Sequence, residues 1–278
     1  MDLYDEISFK TSKLITKKYS TSFSVAVSLL TTEMQQAIYS IYGFVRLADE
    51  IVDTFNFVDQ ERILEDFKRD YYKALSDGIS MNPVLQAFAL TVKKYNIPAE
   101  LVDSFLKSMK ADLHKQKYYN TDELNEYIYG SADVVGLMCL KVFVNGDGRL
   151  YDELKGPAMK LGSAFQKVNF LRDMKADTEE LNRSYFPEFS LNSFNEDIKY
   201  KLIESIESDF HEAKQGISKL PGKSKLAVFI AYIYYKRLLH NLKLTPAEKI
   251  LSARIRISNH KKMFLLGTSY IRYKLNLI

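Results

Sequence analysis

Helix breakers are scarce in this chain, and where they fall they cut it into segments of helical length. Only 11 glycines and 6 prolines are spread over 278 residues. The turn signals are Asn82-Pro83, Asn96-Ile97-Pro98, Asn145-Gly146-Asp147-Gly148, Pro187, Pro221-Gly222 and Pro246. At these points proline removes a backbone donor or glycine frees the chain. Between them apolar residues recur with a helical period, and runs of alternating polarity are few. Leu, Lys, Glu, Ala and Ile, which favour helix, are abundant. The sequence therefore predicts an all-α fold. Pro98 ahead of Ala99-Glu100 predicts a helix start, and Pro157 predicts another for the helix carrying Phe165 to Asp177. No linker divides residues 1–278, so one domain is expected.

Composition narrows the functional classes. Hydrophobic residues make up 46% and charged residues 27%, which suits a large buried core. A net charge of +4 is too small to point to nucleic acid. The single cysteine, Cys139, excludes an internal disulfide and a cysteine-rich metal site; in the apolar run Val134 to Val144 it reads as a small buried hydrophobe. The amino-terminal MDLYDEISFK is acidic and lacks an apolar run. No stretch reads as the roughly 18 apolar residues of a membrane span, so a cytoplasmic location is expected. Positive charge is uneven, for Glu248 is the last acid. Beyond it come Lys249, Arg254, Arg256, Lys261, Lys262, Arg272 and Lys274, mixed with Met263-Phe264-Leu265-Leu266. Two readings stand: a terminal helix with a solvated basic side, or a basic amphipathic segment resting on an anionic membrane.

Chemistry enters with two acidic stripes. In residues 36–57, QAIYSIYGFVRLADEIVDTFNF, the residues Tyr42, Arg46, Asp49 and Asp53 share one helical face, flanked by Ile, Val, Leu, Phe and Ala. A solvated face would carry more Lys and Glu, so this narrow polar strip is expected to line a cavity. In residues 157–177, PAMKLGSAFQKVNFLRDMKAD, the residues Gly162, Gln166, Asn169, Asp173 and Asp177 share a face, with Arg172 on its flank. Gly162 either leaves room there or serves packing. Carboxylates facing an apolar cavity tend to protonate unless a cation holds them. Magnesium takes oxygen ligands and shares them with phosphates. Arg46 and Arg172 add charge-assisted hydrogen bonds to such an anion. With no His or Cys in the set, zinc is disfavoured, and the Glu-x-x-His pairs of di-iron bundles are absent.

These residues resemble the squalene/phytoene synthase family. Phe44 to Asp53, FVRLADEIVD, resembles its first aspartate motif, and Gln166 to Asp177, QKVNFLRDMKAD, its second. Arg183-Ser184-Tyr185-Phe186-Pro187 matches the Arg-x-Tyr-x-Pro stretch that comes after it. Ser20-Thr21-Ser22-Phe23 looks like the family's Ser-x-Ser-Phe segment, and Tyr127 to Met138, YIYGSADVVGLM, resembles its cavity-lining helix. Tyr235 and Arg254, within Ala253-Arg254-Ile255-Arg256, fall where the family places substrate contacts. Two departures stand out. Tyr19 and Thr21 replace residues that are often basic, with Lys17 and Lys18 nearby, and Asp133 replaces a glycine of the cavity helix.

The resemblance implies one isoprenoid-synthase-type helical bundle around a central cavity. It implies magnesium, or manganese in its place, bound by Asp49, Asp53, Asn169, Asp173 and Asp177. Arg46, Arg172 and Arg254 hold diphosphate, while Tyr42, Tyr127 and Tyr235 stand near the reacting ends. Ser20, Ser22, Phe23, Gln166, Arg183 and Tyr185 complete the substrate contacts. The implied reaction joins two prenyl diphosphates head to head through a cyclopropyl intermediate. Phytoene synthesis from two C20 units, without a nicotinamide cofactor, is the first expectation. Squalene or dehydrosqualene synthesis from C15 units is the second. A non-catalytic scaffold and a terpene cyclase are the remaining readings.

Overall fold

The computed structural model describes residues 2–179, 183, 185–186 and 193–275. Helices α1 (Leu3–Tyr19), α2 (Thr21–Val27), α3 (Thr32–Asp53), α4 (Gln60–Asp77), α5 (Pro83–Tyr95) and α6 (Ala99–His114) form the first half. Then come α7 (Thr121–Ile128), a π-helical turn (Tyr129–Asp133), α8 (Val134–Val144), α9 (Gly148–Glu179), α10 (Glu196–Ile217) and α11 (Gly222–Leu244). The short α12 (Ala247–Ile250) and α13 (Asn259–Lys274) complete the order, and no strand occurs among the described residues. The all-α expectation holds.

Local chemistry sets the helix ends. Side-chain oxygens of Asp2, Ser20, Thr31, Asp59, Asn82, Asn120 and Asn195 accept first-turn amide hydrogen bonds. Gly78, Asn96 and Asn145 close α4, α5 and α8 in the left-handed conformation. Pro83, within an expected interruption, opens α5, and Pro98 sits at the cap of α6 rather than inside its first turn. The prediction for Pro157 fails. Helix α9 begins at Gly148 and carries Pro157 in its interior. The missing backbone bond is tolerated where α9 packs along α10, the proline ring filling the space beside Gly216. Pro187 and Ser184 lie outside the described residues.

Packing forms two cores. One centres on Phe44, stacked on Phe88 with ring centroids 4.0 Å apart, and joins α3, α5, α6 and α8. The other gathers Val168, Leu171, Phe210 and Leu239 from α9, α10 and α11. Burial of such side chains stabilises the fold by about 1.5–3 kcal/mol each. Helix α9 crosses the π turn closely: a Cβ on Gly162 would stand 2.9 Å from the Ala132 carbonyl oxygen. Of the two readings of Gly162, packing is the one that the backbone requires. The joined segment Thr121–Val144 is long and apolar enough to cross a membrane, contrary to the sequence expectation, with just over half of its apolar window buried in the bundle. A core helix passes that test equally well.

Candidate active site

Helices α2, α3, α8, α9, α11 and α13 enclose a cavity of about 1100 Å³. That exceeds the ~300–1,000 Å³ of most small-molecule sites. Leu30, Ile38, Val135, Cys139, Leu140 and Phe143 give it apolar walls, and Ser20, Ser22, Phe23 and Gln166 line it as well. Its polar residues gather where α3, α9 and α11 meet. There the Tyr235 hydroxyl donates to Asn169 Oδ1 at 3.3 Å, with Tyr235 stacked on Phe165 at 4.0 Å. Tyr42 stacks on Phe23 at 5.0 Å, and burial pushes its phenol up to about 12. Burial raises the Tyr235 phenol too.

Each acidic stripe runs from the cavity wall outward. Tyr42 and Arg46 on α3, and Gln166, Asn169 and Arg172 on α9, line the cavity, as does Arg254. Asp49, Asp53, Asp173 and Asp177 lie beyond them, outside the lining. Tyr42 and Arg46 of the first strip thus line this cavity, and the acids stand farther along the two helices, at its rim. Asp173 is clasped by Arg172 and by Arg254, whose Nε stands 2.7 Å from Oδ1. Asp53 accepts from Arg183 at 2.8 Å. Arg46 pairs with Glu50, lies 3.9 Å from Asp49, and stands over the Tyr19 ring at 4.3 Å. Tyr19 thereby occupies the face where a basic residue was anticipated; Lys17 and Lys18 are exposed and do not line the cavity.

The rim concentrates negative charge. Asp49 is pushed up to about 8 by desolvation, reinforced by Asp53. Desolvation raises Asp177 to about 7, with Asp173 adding to it and Asp53 contributing from the opposite stripe. Helix geometry sharpens this, because Asp53 is the last residue of α3 and Asp177 lies in the last turn of α9, with no basic residue in either turn. Helix C-termini carry partial negative charge and favour cations, not carboxylates. The sequence thus places acids where stability alone would place lysine.

Behind this rim lies a partner set that sequence reasoning missed. Asp112 on α6 is 9% exposed, accepts from the Tyr127 hydroxyl at 3.0 Å, and offers its backbone carbonyl to Arg183 at 3.0 Å. Desolvation pushes it up to about 7, and its Oδ1 has no hydrogen-bond partner. The available signal was a charge in register with Phe105 and Met109 on the face of α6 that is buried. Tyr127 and Tyr185 are not among the residues lining this cavity; they stack with each other at 5.5 Å and with Phe170, beside Asp112 and Arg183.

Asp133 also turns from the cavity, accepting from Ser163 at 2.8 Å. Desolvation pushes it up to about 7, so the folded chain binds a proton that the unfolded chain releases near the ordinary value of 3.8. Stability from this group is therefore lost as pH rises from about 4 to about 7. Asp133→Asn is expected to gain about 2 kcal/mol at pH 8 and little at pH 4. Urea unfolding at both values checks this, and parallel curves would refute it.

The donor set fits a hard divalent cation. Asp49, Asp53, Asn169, Asp173 and Asp177 offer oxygen only, and desolvation raises two of the acids, Asp49 and Asp177, toward the neutral form. Among the described residues no three acidic, histidine or cysteine side chains are grouped so as to hold a metal ion, and Asp53 and Asp173 are paired with arginines.

The all-α fold thus sets an apolar chamber beside acids and arginines gathered at one rim. Comparison with known proteins gives the family. The squalene/phytoene synthase family model matches residues 16–261, and the chain belongs to that family. A chloroplastic phytoene synthase of Solanum lycopersicum is 26% identical over 272 residues, covering 92% of this chain and 66% of the relative. A phytoene synthase of Arabidopsis thaliana is 27% identical, with 92% and 64% covered. The chain thus spans slightly under two thirds of these relatives. A ligand-bound dehydrosqualene synthase structure superposes with a TM-score of 0.85 at 22% identity, covering 97% of this chain and 98% of that one. A squalene synthase from Alicyclobacillus acidocaldarius gives 0.76 at 20%, with 87% and 95% covered. These likenesses establish the fold.

Proposed function

We propose that this chain joins two geranylgeranyl diphosphates head to head to give phytoene. The observation that carries the reading is the rim of Asp49, Asp53, Asp173 and Asp177 beside Arg46, Arg172 and Arg254, set over a cavity of about 1100 Å³. That relatives are described as phytoene synthases supports the C20 reading over the C15 one. Magnesium, held by the four aspartates and Asn169, would neutralise departing diphosphate as a Lewis acid.

The chain's own residues do the rest. Arg172 and Arg254 exchange Asp173 for diphosphate oxygens, and Arg46 binds from α3. Loss of the first diphosphate leaves an allylic cation, which the second substrate attacks with loss of one proton to form a cyclopropyl diphosphate. Its diphosphate then leaves, the carbon skeleton rearranges, and loss of a second proton gives the linear hydrocarbon without a reductant. Tyr42 and Tyr235 stay neutral, so their ring faces stabilise positive charge while Phe23 and Phe165 exclude water.

Product analysis tests this. Purified chain with magnesium and C20 diphosphate is expected to yield a C40 hydrocarbon with a central conjugated triene whether or not NADPH is present. C30 hydrocarbon from C15 diphosphate alone would move the assignment to dehydrosqualene or, with NADPH, squalene synthesis. A cyclised product from a single diphosphate would indicate a cyclase, and no turnover by folded protein would leave a scaffold.

A further inference from the structure

Helix α13 has two faces with different work. Its inner face supplies Leu265, Leu266 and Lys262 to the cavity wall and packs against α2 and α11 through Leu266 and Tyr273. Its outer face exposes large apolar groups: Phe264 is 71% exposed, Ile271 58% and Leu275 63%. Phe264, Ile271 and Leu275 lie seven and four residues apart and so share one side of the helix. Lys261, Arg272 and Lys274 are exposed alongside them. No acid lies beyond Glu248, and among the described residues none of these three cations has a carboxylate partner.

A helix of a fully soluble surface would place charge, not Phe264 and Ile271, in water. Apolar side chains flanked by unbalanced lysine and arginine are the pattern of a helix lying in a lipid interface. An acidic protein surface would satisfy the cations, but it would not require that the same helix wall a chamber for oily chains.

We propose that α13 docks this protein on an anionic lipid bilayer. Phe264, Ile271 and Leu275 enter the acyl boundary while Lys261, Arg272 and Lys274 meet anionic headgroups. Resting on the prenyl reading of the cavity, this places the cavity wall against the bilayer, so that water-insoluble substrate tails and product pass along α13.

Vesicle binding tests it without substrate. The chain contains no tryptophan, so Phe264→Trp provides a single indole reporter. With full-length protein, its emission is expected to shift to the blue on phosphatidylglycerol-rich vesicles and stay unchanged on pure phosphatidylcholine. Cosedimentation of the wild-type chain should show the same order and weaken with salt. Lys261→Glu with Arg272→Glu, and separately Phe264→Ser with Ile271→Ser, should each reduce binding at least about tenfold. Circular dichroism shows whether each variant is folded. Failure of the folded wild type to bind anionic vesicles, equal binding to both lipids, or undiminished binding by either folded double variant overturns the proposal. Turnover of detergent-dispersed substrate by the wild type is read separately. Its absence would overturn the prenyl reading and leave the vesicle result standing.

Discussion

Asp49→Asn is expected to melt at a higher temperature than the wild-type chain while turning over prenyl diphosphate at least about a hundredfold more slowly. The two effects share one cause. Asp49 is desolvated and faces Asp53, which pushes its carboxyl up to about 8. Without metal, the folded wild type binds a proton there that the unfolded chain loses near 3.8, so stability drains away as pH rises from about 4 to about 8. Asparagine does not titrate, and a gain of about 1 kcal/mol at pH 8 is the order seen when functional strain is relieved. Thermal scans at pH 5 and pH 8 should show the gap widening with pH. Magnesium with inorganic diphosphate should raise the wild-type midpoint more than the variant's, through preferential binding to the folded state. A variant that melts below wild type at pH 8, or retains turnover within a few-fold, would count against Asp49 as a rim ligand.

The reverse result is expected at Arg183. Its guanidinium is buried, holds Asp53 at 2.8 Å and reaches the Asp112 carbonyl at 3.0 Å, and these acids push its own proton affinity above the ordinary value despite opposing desolvation. Arg183→Met keeps much of the volume but leaves Asp53 and Asp112 without their cation. Removing one side of a buried pair costs about 3–5 kcal/mol, and water reaching the rim places this case near the lower end. Urea denaturation should show that loss, and adding Asp112→Asn should recover part of it by removing one stranded charge. Losses that simply add in the double variant would mean that Arg183 and Asp112 do not act together.

Much of this architecture was legible because local rules and tertiary packing agree. Asn82-Pro83, Asn145 to Gly148 and Pro221-Gly222 all mark real helix boundaries. Pro157 did not, because the fit of its ring beside Gly216 depends on a helix 59 residues away, the difference between the two residue numbers. The acidic stripes were readable from spacing alone. Their pairing was not: Arg183 meets Asp53 across 130 residues, and nothing local tells which arginine each acid will choose. Asp112 was hidden by Lys110 and His114, which make its helix end look like ordinary solvated surface. Tyr127 was placed near the reacting ends by resemblance alone; its bond to Asp112 depends on how α6 meets the helix before the π turn, which no local spacing shows.

That turn has a longer consequence. A π turn holds one residue more than the α-helical count, which rotates the helix before it by about 100° relative to the helix after it. Tyr127 on the near side addresses Asp112, while Val135, Cys139 and Phe143 on the far side address the oily chamber. The two halves therefore answer to different neighbours, and substitutions beyond the turn reshape the chamber while the tyrosine keeps its aim at Asp112.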